Sequence, residues 1–182
     1  GLIAASPVGV FRSDPGGRII YINPTACAIT GLTPERAYSE GWVSALHPDD
    51  RAAVLAERQR TRALEIPFRM EYRFVGAAGR IVWVLSQIVP LRDAAGALIG
   101  HIGTVTDITP RRAAEDALRA SEERYRRLFE EAIEGIFRSR LDGRILAVNP
   151  AFARMLGYDS PDELIGTDAT RLYVDPEDRR RL

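Results

Sequence analysis

An α+β fold, a five-stranded antiparallel sheet with short helices on one face, is what this sequence predicts, and three observations predict it. β-rich runs come first as a pair and later as a trio, with turn residues between the members of each group. A capping residue followed directly by proline occurs three times between the two groups, marking helix starts. The front of the arrangement then returns after a shift of 126 residues.

Val8 to Ser13 and Arg18 to Asn23 flank Asp14-Pro15-Gly16-Gly17, a hairpin signal. Asn23-Pro24, Thr33-Pro34 and His47-Pro48 each put a capping side chain before a residue whose fixed φ suits the first helical turn. The third pair opens an amphipathic helix from Pro48 to Ala63. Phe68 to Val75, Ile81 to Leu91 and Leu98 to Thr106 read as strands. Gly76-Ala77-Ala78-Gly79 and Asp93-Ala94-Ala95-Gly96 separate them, gaps short enough for antiparallel hairpins. Two strands, short helices and three strands make one sheet with helices on one face.

From Pro110 to Ala132 the period changes. Ala114, Leu118, Ser121, Tyr125, Leu128 and Ala132 alternate spacings of four and three, a heptad seam. Glu115 with Arg119, Glu122 with Arg126 and Glu123 with Arg127 add acid-before-base pairs one turn apart. Such a narrow apolar stripe needs a cover. Either it lies on its own domain or it pairs with a second copy in a parallel dimer, which is the preferred expectation.

The repeat fixes the domain plan. Gly9-Val10-Phe11-Arg12-Ser13 matches Gly135-Ile136-Phe137-Arg138-Ser139, Asn23-Pro24 matches Asn149-Pro150, and Gly31 matches Gly157. Between positions 9 and 31 about ten of the 23 pairs are identical. With two extra residues in the second copy, Pro48-Asp49-Asp50-Arg51 meets Pro176-Glu177-Asp178-Arg179. A period this long means a duplicated domain and not a solenoid. The expected organisation is a complete domain over residues 1–109, a linker helix over 110–132, and the front half of a second domain over 133–182. Two strands without the other three would leave an open edge, so more chain or a neighbour's strands are expected to complete that half. Gly1 and the charged run Glu177-Asp178-Arg179-Arg180-Arg181 are read as cuts in a longer protein.

Composition narrows function. Hydrophobic residues make up 46%, enough for a packed core. The 25 basic and 25 acidic residues cancel, which argues against nucleic acid as a partner. No apolar run is long enough to insert in a membrane. A single cysteine, Cys27, allows no internal disulfide and no paired-cysteine metal cluster. Phosphate loops, nucleophile elbows, kinase signatures and paired histidines at metal spacing do not occur, so no catalytic residue and no metal site are expected.

The strand–helices–strands order, Asn23-Pro24, His47-Pro48-Asp49-Asp50-Arg51 and Glu71-Tyr72-Arg73-Phe74 together resemble the PAS sensor family. So do Gly79-Arg80-Ile81-Val82-Trp83-Val84 and the closing Gly103-Thr104-Val105-Thr106-Asp107-Ile108-Thr109. The resemblance covers residues 1–109 fully and about 128–182 as a front half. It implies a binding or relay module without chemistry of its own, in the bacterial cytoplasm. Such modules stand upstream of a histidine kinase, diguanylate cyclase or phosphodiesterase. It also implies a small ligand or cofactor, or neither, between sheet and helices, self-association through flanking helices, and a signal leaving through the last strand into the linker.

Candidate pocket residues follow. Trp42, Trp83 and Leu85 are apolar walls, with Val54, Met70 and Tyr72 beside them. Gln87, two residues beyond Leu85, is read as facing inwards, a polar handle. His101, in the middle of the last strand, is the candidate if haem were bound, whereas His47 reads as a helix cap and Cys27 as a small buried residue. An Asn-Cys-Arg-Phe-type photosensor motif is missing, so no cysteinyl–flavin adduct is expected. No cofactor is the leading expectation, with flavin or haem kept as alternatives. Asp107, Ile108 and Thr109 are the relay candidates, Thr109 as the cap of the linker helix.

Overall fold

The computed structural model describes residues 7–38, 41–76 and 79–172. The chain divides into two units, one up to residue 113 and one from residue 114.

In the first unit β1 (Gly9–Ser13) and β2 (Ile19–Ile22) pair as a hairpin, Phe11 opposite Ile22. Asp14 builds the turn: its Oδ1 accepts the Arg18 N–H at 2.9 Å and its carbonyl accepts the Gly17 N–H at 3.0 Å. Gly17 takes a φ of 89°, which a side chain would resist. Asn23 then caps α1 (Pro24–Thr30). Its Oδ1 accepts the Ala26 N–H at 2.8 Å and the Val10 N–H at 2.9 Å, while Nδ2 donates to the Val8 carbonyl at 3.0 Å. One fully buried amide thus ties the helix start to the first strand, with its polar atoms repaid for lost water.

α2 (Pro34–Tyr38) follows Thr33, whose hydroxyl accepts the Arg36 N–H at 3.4 Å. The single turn α3 (Gly41–Ser44) was not predicted, since Gly-Trp-Val carries no cap and weak helix preference. Packing of Trp42 and Val43 on the core supplies what the local sequence lacks. α4 (Pro48–Ala63) begins at His47, whose Nδ1 accepts the Asp49 N–H at 3.3 Å, the expected capping role.

β3 (Phe68–Val75), β4 (Ile81–Arg92) and β5 (Leu98–Asp107) complete an antiparallel sheet in the order β2-β1-β5-β4-β3. β5 lies in the centre, beside β1. There Gly103 pairs with Phe11, and a Cβ on Gly103 would stand 2.3 Å from that ring. Only glycine lets the Phe11 ring lie across the strand. Leu46, Val54, Val82 and Val84 are fully buried between sheet and helices. Asp50 fastens α4 to β3: its Oδ2 accepts the backbone N–H and Nε–H of Arg73, each at 2.9 Å, and its Oδ1 accepts from Nη2 at 2.6 Å. Those bonds to Arg73 hold the Asp50 carboxyl below its usual pKa, against the opposing effect of burial.

The face of β4 is the reverse of the one expected. Val82, Val84, Ser86 and Ile88 turn to the core, so Trp83, Leu85 and Gln87 stand on the outer face, with Gln87 exposed. Ile81 to Leu85 is apolar at every position, so alternation alone carries no sign of which face is inner.

α5 (Thr109–Glu131) carries Ala114, Leu118, Ser121, Tyr125 and Leu128, all exposed. Ala132, expected as the last seam position, lies beyond the helix end. Asn149 explains the stop: its Oδ1 accepts the Ile136 N–H and its Nδ2 donates to the Glu134 carbonyl, both at 2.9 Å, drawing residues 134–136 alongside the next hairpin.

In the second unit β6 (Phe137–Ser139) and β7 (Ile145–Val148) form a two-stranded sheet followed by α6 (Pro150–Met155). A 3₁₀ turn at Pro161–Glu163 starts from a capping box between Ser160 and Glu163. Ile145, Val148, Ala153, Leu164 and Ala169 form a small core. The second Pro-Glu-Asp-Arg segment, 176–179, lies outside the described residues.

Candidate functional site

Among the described residues, two adjoining spaces stand out between the inner face of the first unit's sheet and its helices. The inner one is about 40 Å³ and apolar, enclosed by Phe11, Ile19, Trp42, Tyr72, Phe74 and Val105 among others. It is small because Phe11 lies over Gly103 and fills the middle of the sheet. The outer one is a cleft of about 340 Å³ between the C-terminal half of α4 and β3, β4 and β5. Trp42, Leu55, Ile66, Phe68 and Ile88 supply its apolar walls, and Arg58, Gln59, Arg62 and His101 its polar ones.

Arg58 lines both spaces. Its guanidinium carbon lies 5.1 Å from the Trp42 ring centroid and 5.6 Å from that of Phe68, a cation held between two aromatic faces. Burial pushes its pKa down, the nearby Tyr72 acting the other way. The Tyr72 phenol is pushed up by burial, against Ser86 and Arg58. His101 lies at the opposite wall, its Nδ1 3.3 Å from Ser13 Oγ and 3.4 Å from the Asp14 carbonyl oxygen.

Of the pocket candidates, Trp42, Tyr72 and His101 line these spaces. Val54 is buried beneath them and Met70 packs half-buried against the core. Trp83, Leu85 and Gln87 face away from both. Arg58 was missed by sequence reading, although Val54, Arg58 and Thr61, at spacings of four and three, share one inward stripe of α4. An arginine there is ordinarily read as solvated.

Trp83 has another place. Its backbone N–H donates to Thr109 Oγ1 at 2.9 Å, and its carbonyl accepts the Ile108 N–H at 2.9 Å. Asp107 Oδ1 accepts the Thr109 N–H at 2.8 Å. Asp107 thus accepts a backbone N–H at the helix start, while the Thr109 hydroxyl, expected as the cap, serves β4 instead. On the outer face the Arg112 guanidinium lies 3.9 Å from the Trp83 ring centroid. Glu71 on β3 accepts from Arg111 at 2.9 Å and from Arg112 at 2.7 Å, and these bonds, Arg112 first, lower its pKa. The first turns of α5 are thus bonded to two neighbouring strands.

Among the described residues no group of acidic, histidine or cysteine side chains could hold a metal ion, and no helix is long and apolar enough to cross a membrane.

Comparison with known proteins places both units. A family model described as PAS fold matches residues 19–105, and one described as PAS domain matches 123–182. The two-component sensor PprA of Pseudomonas aeruginosa is 30% identical, covering 91% of this chain and 18% of its own length. The sensor protein FixL of Bradyrhizobium diazoefficiens is 26% identical over 95% of this chain and 34% of its own. The chain thus spans a minor part of the curated relatives it matches. A sensory box histidine kinase/response regulator structure from Burkholderia thailandensis superposes with a TM-score of 0.52 at 29% identity, covering 69% of this chain and 95% of that one. The N-terminal domain of a diguanylate cyclase with PAS/PAC sensor from Marinobacter aquaeolei gives 0.53 at 21% identity, covering 58% of this chain and 98% of that one, a likeness of fold.

Proposed function

The chain belongs to the PAS family, two units of which it carries, and on that premise we propose that it is the sensory relay segment of a larger signalling protein. The single observation that carries the proposal is the junction of β4 with α5. Ile108 and Thr109 are bonded to the backbone of Trp83, and Glu71 grips Arg111 and Arg112, so a shift of β3 or β4 displaces the start of the helix. The output belongs outside this chain, and the names of PprA as a two-component sensor and FixL as a sensor protein support a two-component protein; a cytoplasmic location is part of the same proposal.

Self-association through α5 belongs to the same proposal. Leu118, Tyr125 and Leu128 are 62%, 64% and 64% exposed on one stripe, which suits a second copy of the helix. A cofactor-free unit is favoured over flavin or haem. The interior space of about 40 Å³ is far below the several hundred Å³ of a typical cofactor site. The same closed interior supports the rival reading, a dimerisation module that senses nothing. The outer cleft favours sensing.

The test is autophosphorylation of the full-length protein. Thr109→Val removes the bond to Trp83, and one residue inserted after Arg119 rotates everything beyond it by about 100°. Both variants are expected to change output severalfold while the circular dichroism spectrum stays that of the parent. Unchanged output in both contradicts the relay.

A further inference from the structure

We propose that the cleft beside α4 binds a small carboxylate with a flat apolar body, and that Arg58 is its anion receptor. This names the ligand class of the sensory reading and rests on that reading only for its biological use, because binding is measured apart from output.

Arginines of the first unit that hold a carboxylate, the other half-buried ones Arg73 and Arg112 among them, supply the contrast. Arg60 pairs with Glu57, Arg73 with Asp50, Arg92 with Glu65, and Arg112 with Glu71. Arg58 pairs with no carboxylate among the described residues, although it is more enclosed than Arg60 or Arg92; its neighbours are the faces of Trp42 and Phe68. A charge taken from water without a counter-charge is costly, and ring faces return only part of that cost. A carboxylate entering the cleft supplies the missing partner, and the planar guanidinium edge matches it with two parallel N–H donors.

The surroundings set the rest of the ligand. Among the described residues the cleft lining has two arginines and a histidine and no aspartate or glutamate. Arg62 already donates to the Gly16 carbonyl at the cleft mouth, which leaves Arg58 as the inner receptor. Trp42, Leu55, Ile66, Phe68 and Ile88 offer apolar surface on either side of it. A volume of about 340 Å³ lies at the small end of ligand sites and suits one ring. A phosphate would find a single enclosed guanidinium and mostly apolar walls, a poor match for a dianion.

The probes are benzoate, its uncharged analogue benzamide, and inorganic phosphate, titrated by calorimetry into the 182-residue chain. Benzoate is expected to bind saturably, with benzamide and phosphate each at least ~10-fold weaker, as one charge-assisted bidentate pair implies. R58Q, checked for an unchanged near-ultraviolet dichroism spectrum, is expected to lose at least ~10-fold in benzoate affinity. The benzamide comparison uses the unaltered chain and decides the matter even where R58Q fails to fold. Absence of saturable benzoate binding below ~10 mM, benzamide affinity within ~3-fold of benzoate, or full benzoate affinity in folded R58Q would each overturn the proposal. Any of these leaves the Thr109→Val result standing, so failure of the site and failure of the relay are told apart.

Discussion

In strand register, backbone turn bonds and asparagine cap, the two hairpins of this chain match. Phe11, Arg12 and Ser13 face Ile22, Tyr21 and Ile19; Phe137, Arg138 and Ser139 face Val148, Ala147 and Ile145, with the irregularity at the same step. Asn23 and Asn149 each accept one N–H at the start of the hairpin's first strand (Val10, Ile136) and one from the following helix, and each donate to a carbonyl two residues earlier (Val8, Glu134). Burial separates them. Phe11 is 9% exposed beneath Gly103 of β5, whereas Phe137 is 44% exposed and stacks on Phe152 at 4.8 Å. Local residues decide the bonding of a hairpin; strands contributed from far along the chain decide its cover.

Asn23→Ala should give the largest effect. It removes three bonds from a fully buried side chain and leaves two N–H donors without their acceptor, a loss of about 3 kcal/mol. Asn149 is equally buried and makes the same bonds, but the core around it is much smaller, so Asn149→Ala should cost less, about 1–2 kcal/mol. Urea denaturation followed through each unit measures both, and equal losses would break the comparison.

Gly103→Ala comes next. Its methyl group would meet the Phe11 ring at 2.3 Å, and the displaced ring should cost about 1–3 kcal/mol. Gly135→Ala meets Met155 Sδ and the Phe152 ring at 2.9 Å and the Phe152 Cα at 3.2 Å; Met155 is mostly exposed and can swing away, whereas Phe152 must shift in a small core. A smaller loss than at Gly103, about 0.5–1 kcal/mol, is expected there. Melting temperatures of the two variants give the contrast, and a larger loss at Gly135 would reverse it.

The smallest effect sharpens the comparison from the first unit alone, since the counterpart of Asp50, Asp178, lies outside the described residues. Asp50 has a folded pKa below its unfolded value, so the stability it contributes is fully present above the unfolded value, near pH 4. That stability is lost as pH falls through the lower folded value. Asp50→Asn should cost about 1–2 kcal/mol at pH 7 and progressively less than that as pH falls below 4. Melting curves at pH 7 and pH 3 check it; an undiminished difference at pH 3 would mean that the Arg73 pair is not its source.

Legibility in the sequence follows the same division between local and distant. Asn23-Pro24, His47-Pro48 and Asp14-Pro15-Gly16-Gly17 act within a few residues, so the caps, the first hairpin and both ends of α4 were readable. The pocket depends on which way strands turn. Ile81 to Leu85 is apolar throughout and hides its parity, which misplaced Trp83, Leu85 and Gln87. Arg58 escaped notice because its partners are rings on α3 and β3, not a carboxylate one turn away. Asp107, Ile108 and Thr109 were recognisable as a junction, but their division of labour depends on Trp83, 26 residues from Thr109.

Native-state hydrogen exchange on the whole chain tests most directly whether locally matching copies differ in cover. The Val10 and Ala26 amides donate to Asn23 at 2.9 and 2.8 Å, and the Ile136 and Phe152 amides donate to Asn149 at 2.9 Å each. With bond geometry so nearly equal, protection reports the free energy of opening each unit. The first pair should exchange on the order of 100-fold more slowly than the second. Equal protection of the two pairs would contradict the account, because local bonding would then suffice without the central strand.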